Sequence, residues 1–149
     1  VTPAIRRATA ADLDAIDEIE RHSFPLPWPR GVFASELARS WARIDVACDG
    51  RGDVIAFHDW WLVAGELHVL AIATHPDHRR RGIAALLLAS AIGEGKAGGA
   101  ATATLEVRRG NAVAIVLYER FGFRTVHVRA RYYDDGEDAL VMTAELAGA

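Results

Sequence analysis

The 149-residue chain has a single cysteine, Cys48, so no disulfide can close within it. That suits a reducing cytoplasm. Long hydrophobic runs are missing too. The longest nearly apolar stretch, Ile83 to Ile92, falls well short of the ~20 residues that a membrane-spanning helix requires. The opening residues, "VTPAIRRATAADLD", contain no apolar core of a secretory leader. Positive charge is not in excess. The formal net charge is −3, so the charge balance does not suggest a nucleic-acid partner. These absences lead to the expectation of a cytoplasmic domain with neither a membrane nor a nucleic-acid partner. What is present is apolar material: 51% of the residues are hydrophobic, enough to build a buried interior. The length favours one domain over residues 1–149.

Residues 4–8 read as a first strand. "TAAD" at Thr9–Asp12 has a capping-box pattern with Asp in place of Glu, and Leu13, Ile16 and Ile19 repeat at helical spacing, so the pattern predicts a helix over 10–21. "FPLPWP" interrupts the chain with three prolines, and a second helix is expected over 30–39. Strands are expected at 43–48, 53–62 and 66–74, followed by an apolar helix over 82–94. "GEGKAGG", residues 93–99, reads as a loop. "TATLEVRR" alternates as a strand. "NAVAIVLYERFG" reads as a helix with Asn111 as N-cap and Gly122 as its stop. Two further strands are expected near 123–130 and 139–145. The mixture predicts an α/β fold with a mixed, mostly antiparallel sheet of six or seven strands and helices on both faces.

Residues 79–84 read Arg-Arg-Arg-Gly-Ile-Ala between a strand and the apolar helix. A helix start already carries unpaired N–H groups and partial positive charge. Three arginines placed there repel one another unless an anion sits among them. Backbone amides at such a turn can hold phosphate oxygens, Gly82 lets a ligand approach closely, and arginine forks match phosphate geometry. The turn is no Walker loop, because the Gly-Lys-Ser/Thr ending is absent. A solvated basic turn that merely starts a helix is the other reading the residues allow.

In "TATLEVRR", Leu105 and Val107 take one face and Thr104, Glu106 and Arg108 the other. Alone, Glu106 reads as an exposed polar position or a partner for Arg108, Asn111 as a helix cap, and Tyr118 as a half-buried aromatic. Their order along the chain is more telling: a Gly-Arg turn, a strand glutamate, a cap asparagine and a helix tyrosine follow one another in one strand–helix–strand–helix unit. Here the sequence resembles the GNAT family of acetyl-CoA-dependent N-acetyltransferases. Residues 79–84 match its Gln/Arg-x-x-Gly-x-Gly/Ala turn. The match is nearer to the ribosomal-protein-alanine N-acetyltransferase group (the RimI type) and its protein N-terminal acetyltransferase relatives. It is carried by "HSFPLPWPRGVF", "IATHPDHRRRGIAALLL", "LEVRRGNAVAIVLYERFGF" and "YYDDGEDALVM".

The resemblance implies the GNAT fold and acetyl-CoA as cosubstrate. It also implies roles. Ile72, Ala73 and Thr74 would offer backbone to the pantetheine arm, and Arg79, Arg80, Arg81, Gly82, Ile83 and Ala84 would hold the pyrophosphate. Asn111 would also contact the cosubstrate, Glu106 would be the general base and Tyr118 the general acid. Ala71 stands where the family commonly has asparagine. The acceptor would be the N-terminal α-amine of a protein, with a ribosomal protein beginning with alanine as the implied partner. Stiff prolines and aromatics suit an extended peptide, which makes Trp28 a candidate acceptor contact, and the resemblance adds Tyr132 and Tyr133. Asp134, Asp135, Glu137 and Asp138 read either as attraction for a basic peptide or as a solvated hairpin turn. Two other readings stay open: the same chemistry on a lysine or small-molecule amine, and a non-catalytic domain that only binds acetyl-CoA. His75 and His78 lack a third ligand nearby, so no metal site is expected. Cys48, in "DVACDG", reads as structural.

Overall fold

The computed structural model describes residues 2–146. Its strands are β1 (Ala4–Arg7), β2 (Ala42–Cys48), β3 (Val54–Val63), β4 (Glu66–Thr74), β5 (Thr102–Arg108), β6 (Arg124–Arg129) and β7 (Ala139–Glu145). Its α-helices are α1 (Leu13–Ser23), α2 (Arg30–Leu37), α3 (Ile83–Ala97) and α4 (Ala112–Arg120). The strands form one sheet in the order β1-β2-β3-β4-β5-β7-β6. Pairs β1–β2, β2–β3, β5–β7 and β6–β7 are antiparallel, and β4–β5 is parallel. The expected mixed, mostly antiparallel sheet is thus the one observed. The chain gathers into two compact units, one built on Val1–Trp61 and Ala71–Ala91, the other on Leu62–Leu70 and Ile92–Ala149.

In the first unit, α1 begins as a short 3-10 turn, Ala10–Asp12, before regular helix from Leu13. Asp12 organises that start. Its Oδ2 accepts from the Thr9 N–H at 2.8 Å, and both of its oxygens accept from Arg6 at 2.8 Å. The Arg6 guanidinium holds the Asp12 carboxyl below its ordinary range. Leu13, Ile16 and Ile19 then fall on one helix face. They join Phe33, Ile44, Val46, Phe57, Ala71 and Ala73 in one cluster. Ile83 and Leu87 of α3 pack with Ala47, Ile55, Ala56 and Ile72 in another. Within β2, Ile44 and Val46 belong to the first cluster and Ala47 to the second, as strand alternation requires. Helices therefore cover both faces of the sheet in this unit.

Besides Asp12 and Asp45, which pair with arginines, the same unit buries the carboxyls of Glu20 of α1, Glu36 of α2 and Asp59 of β3. Glu20 accepts from the Trp28 N–H at 2.9 Å, which anchors the proline-rich connection, and Glu36 accepts from Trp61 Nε1 at 2.7 Å. Asp59 is fully buried, and burial pushes its pKa from 3.8 up to about 9, with the charges of Glu36 and Glu20 adding to the rise. The folded state therefore binds a proton that the unfolded chain releases. Stability from this group is complete below pH 3.8 and is lost as pH rises through about 9. Asp59→Asn removes that titration. Its Tm relative to the wild type is expected to climb across this window, by on the order of 5 °C at the alkaline end, as read by thermal melts at a series of pH values.

In the second unit, β4 runs parallel to β5 from Glu66↔Thr102 to Val69↔Leu105. The expected loop over 93–99 is corrected: α3 continues to Ala97 and stops at Gly99, whose φ is +94°. The glycines that suggested a loop serve packing. A Cβ on Gly95 would stand 2.7 Å from Leu67 Cδ1, and one on Gly98 would stand 2.7 Å from Leu62 Cδ2. Only a bare backbone lets the end of α3 lie this close to those leucines. Next, β7 lies between β5 and β6, with Glu106↔Val141↔His127 in one row and Arg108↔Ala139↔Arg129 two residues along. Among the described residues, no helix is long and apolar enough to cross a membrane.

Candidate active site

The basic turn lies in the first unit. Arg79 donates through Nε to the Thr74 carbonyl at 3.1 Å and through Nη2 to the His22 carbonyl and Ser23 Oγ, both at 3.3 Å. It ties the turn to the end of α1. Arg80 holds a left-handed backbone, φ +65°, which costs a non-glycine residue roughly 1–2 kcal/mol. Arg81 lies 3.3 Å from His78 Nδ1. Gly82 has φ +73°, and a Cβ built there meets nothing within 4 Å. The first bond across the start of α3 runs from the Leu86 N–H to the Gly82 carbonyl at 3.1 Å. Among the described residues, no protein acceptor takes the N–H groups of 80–84. Unsatisfied amides, an open glycine and two exposed arginines form a cradle whose chemistry fits phosphate oxygens.

Ile72–Thr74 close β4, beyond its last parallel pair with β5. Ala73 packs among the first cluster and Ile72 beside the second. Trp28 packs against Phe33, ring centroids 5.6 Å apart, while Glu20 holds its backbone. His75 and His78 sit with ring centroids 6.0 Å apart. Among the described residues, no group of three or more His, Cys, Asp or Glu is arranged to hold a metal ion.

The second unit carries the carboxylate. Glu106 Oε1 accepts from the Tyr132 hydroxyl at 3.1 Å, and Oε2 pairs with Arg129 Nε at 2.9 Å. Arg108, the partner that strand spacing suggested for Glu106, is committed elsewhere. Its Nη1 lies 2.8 Å from Asp135 and 2.9 Å from Glu137, and its guanidinium stacks 4.1 Å from the Tyr133 ring centroid. Glu137 Oε2 also accepts from the Gly110 N–H at 2.9 Å. Asp138 takes the Arg131 N–H at 2.9 Å and pairs with Arg109 at 3.0 Å. Three of the four turn acids are thus spent on the protein's own arginines and amides. They shape the turn that carries Tyr132 and Tyr133, whose rings meet edge to face at 5.2 Å. Burial, then the Glu106 charge, pushes the Tyr133 hydroxyl up to about 12.

Asn111 caps α4, its Oδ1 accepting from the Ala114 N–H at 3.2 Å. Tyr118, two turns on, is 6% exposed and lies edge-on to Phe123 at 5.9 Å. It is a core aromatic. Burial, with the nearby Tyr133 as a smaller cause, also raises its pKa, so its hydroxyl keeps its proton at neutral pH. Sequence reasoning passed over Arg129 and the Arg108–Tyr133 stack. The only signal for either is the basic, aromatic run "RARYY".

Comparison with known proteins places the chain in a family. Residues 13–123 match the model of the acetyltransferase (GNAT) family. The [ribosomal protein bS18]-alanine N-acetyltransferase of Escherichia coli K12 is 35% identical, over 91% of this chain and 93% of its own length. An N-alpha-acetyltransferase of Sulfurisphaera tokodaii is 36% identical, over 95% of this chain and 92% of its own. The crystal structure of the Escherichia coli ribosomal-protein-S18-alanine N-acetyltransferase superposes with a TM-score of 0.90, covering 99% of this chain and 96% of that one. A family model that runs through both compact units and relatives that align over nearly the whole length lead to one conclusion: this chain belongs to the GNAT family of acetyltransferases.

Proposed function

We propose that this protein acetylates the N-terminal α-amine of an acceptor protein, with a ribosomal protein beginning with alanine as its natural substrate. The observation that carries the reading is Glu106, a carboxylate held on both oxygens beside a tyrosine pair. The bacterial relatives named for ribosomal-protein alanine acetylation support the choice of acceptor. The family model spans both units, which supports reading residues 1–149 as one acetyltransferase domain. A cytoplasmic location goes with a ribosomal acceptor.

Acetyl-CoA supplies the acetyl group as a thioester. The amides of 80–84, with Arg80 and Arg81, bind its diphosphate, and Ile72–Thr74 present backbone groups to the pantetheine arm. An acceptor α-amine has a reference pKa near ~8, so neutralising it at pH 7 costs on the order of 1 kcal/mol, against roughly 4–5 kcal/mol for a lysine. Glu106 accepts the amine's proton, directly or through one water, as the nitrogen forms its bond to the acetyl carbon. A backbone N–H of 72–74 meets the charge that gathers on the carbonyl oxygen. As the carbon–sulfur bond breaks, Tyr118 gives its proton to the departing thiolate. Tyr132 and Tyr133 line the acceptor side, and Trp28 flanks the acceptor from the proline-rich connection.

The test is a thiol-release assay with short peptides that differ only in their first residue. Alanine-starting peptides are expected to be acetylated with the highest kcat/KM. A polyamine or lysine side chain turned over while alanine peptides are ignored would overturn the acceptor assignment. Tyr118→Phe is expected to slow transfer about 10- to 100-fold while Tm barely changes, because the phenyl ring keeps its place against Phe123. Unchanged kcat, checked beside a thermal melt, would leave Tyr118 a core residue only.

A further inference from the structure

The Glu106 carboxylate does not stand alone, and its strongest partner comes from a neighbouring part of the sheet. Arg129 ends β6. It shares a row with Ala139 and Arg108, two residues along from the row that holds Glu106, Val141 and His127 and so on the same face of the sheet. The middle position, Ala139, is small and fully buried. A long side chain from β6 can therefore cross β7 and reach β5. Arg129 does so, placing Nε 2.9 Å from Glu106 Oε2, and its guanidinium lies 5.6 Å from the centroid of Tyr132. Tyr132 in turn donates to the other oxygen. The three side chains close a triangle.

We propose that Arg129 is a positioning residue for the general base: it fixes the Glu106 carboxylate from one side and leaves the outer lone pairs of both oxygens open to the acceptor amine.

This inference rests on the proposed acetylation of an α-amine, and it adds a residue to which no role has been given. A carboxylate has about four acceptor directions, and here two are filled, one per oxygen, by donors of known position. A free glutamate on a strand would turn among several rotamers, so the fraction aimed at the amine would be small. Two anchored oxygens remove that freedom. A bond from a guanidinium is charge-assisted, so it holds the carboxylate more firmly than a neutral donor would. The pair is half exposed, with side-chain exposures of 53% and 35%, so solvent weakens the charge effect without removing the orientation.

Every charged or titratable group around Glu106 is consistent with that role. Arg108, two residues on along β5, is neutralised by Asp135 and Glu137. Tyr132 and Tyr133 stay protonated at neutral pH, both raised chiefly by burial. His127 shares the Glu106 row from β6. Arg129 is the one cation in hydrogen-bond reach of this carboxylate among the described residues.

Two measurements on the full chain test it. The first needs no substrate. In nitrogen-15 spectra of the free protein, the Arg129 Nε–H signal is expected to shift on Glu106→Gln. A signal indifferent to that substitution overturns the inference, whatever the kinetics show. The second is steady-state kinetics with an alanine-starting peptide. Arg129→Gln is expected to lower kcat about 10-fold and to leave the KM for acetyl-CoA and the Tm unchanged. Arg129→Lys, which restores a cation without the fork, is expected to return kcat most of the way. A merely structural arginine would lower Tm and activity together, and that result overturns the proposal. If the wild-type chain acetylates no peptide, the proposed function falls. An intact nitrogen-15 signal would then mark the contact as a surface ion pair only.

Discussion

Glu106→Gln is expected to bind acetyl-CoA as the wild type does and to lose about 10²–10⁴-fold in kcat, the range that general-base removal commonly costs. Glutamine keeps the size of the side chain, and its carbonyl can still accept from the Tyr132 hydroxyl, so the local structure has no reason to change. It cannot accept the amine's proton, and it gives Arg129 no charge to pair with. Binding should be unaffected because none of the groups proposed to hold the diphosphate bonds to Glu106, whose partners are Tyr132 and Arg129. Calorimetry with acetyl-CoA and the thiol-release assay separate the two effects. Unchanged kcat would remove Glu106 from the mechanism. A parallel loss of acetyl-CoA affinity would show that the substitution had disturbed more than the base.

Gly82→Val carries the other large effect, and it falls on binding. Gly82 has φ +73° with open space where a Cβ would stand. A β-branched residue at that dihedral is strained, and its methyl groups would fill the space a phosphate oxygen needs in order to meet the amides at the start of α3. Charge-assisted hydrogen bonds contribute about 1.5–3 kcal/mol each, so losing one or two raises the Kd for CoA roughly 10²-fold. Pantetheine, which lacks the phosphates, serves as the control, and its weaker binding should not change. A CoA affinity that survives Gly82→Val would place the diphosphate elsewhere and take the cradle out of the site. The backbone strain should also lower global stability by about 1–2 kcal/mol, which a thermal melt reads separately.

Much of the architecture was open to reading because it depends on local pattern. Strand alternation in β5, the proline break after α1, and the Asn111 cap with Gly122 at the end of α4 are each decided within a few residues. So was the strand–turn–helix order that puts an arginine-rich turn before α3. The site's chemistry was less open. Arg108 looked like a partner for Glu106 because the two lie two apart on one strand. In the folded chain, Arg108 turns to Asp135 and Glu137, and Arg129 takes its place from beyond β7. Neither choice is visible without the strand order. The turn acids were misleading in a similar way, since charge that looked available for a basic peptide is mostly used within the turn. The buried carboxyls Glu20, Glu36 and Asp59 come from three separate elements, and each alone reads as an ordinary surface acid.

Gly95 in α3 and Gly98 just past its end limit what engineering can do with this helix. Replacing helical glycine by alanine is a common route to heat resistance, because alanine is favoured by about 1 kcal/mol in a helix interior. At position 95 the added methyl would collide with Leu67, a side chain with no exposed surface and so little room to swing aside. At position 98 the obstacle is Leu62, which is half-buried and can rotate outward. Two glycines three residues apart therefore differ in how freely evolution or a designer can replace them, and a leucine on a distant stretch of chain decides which.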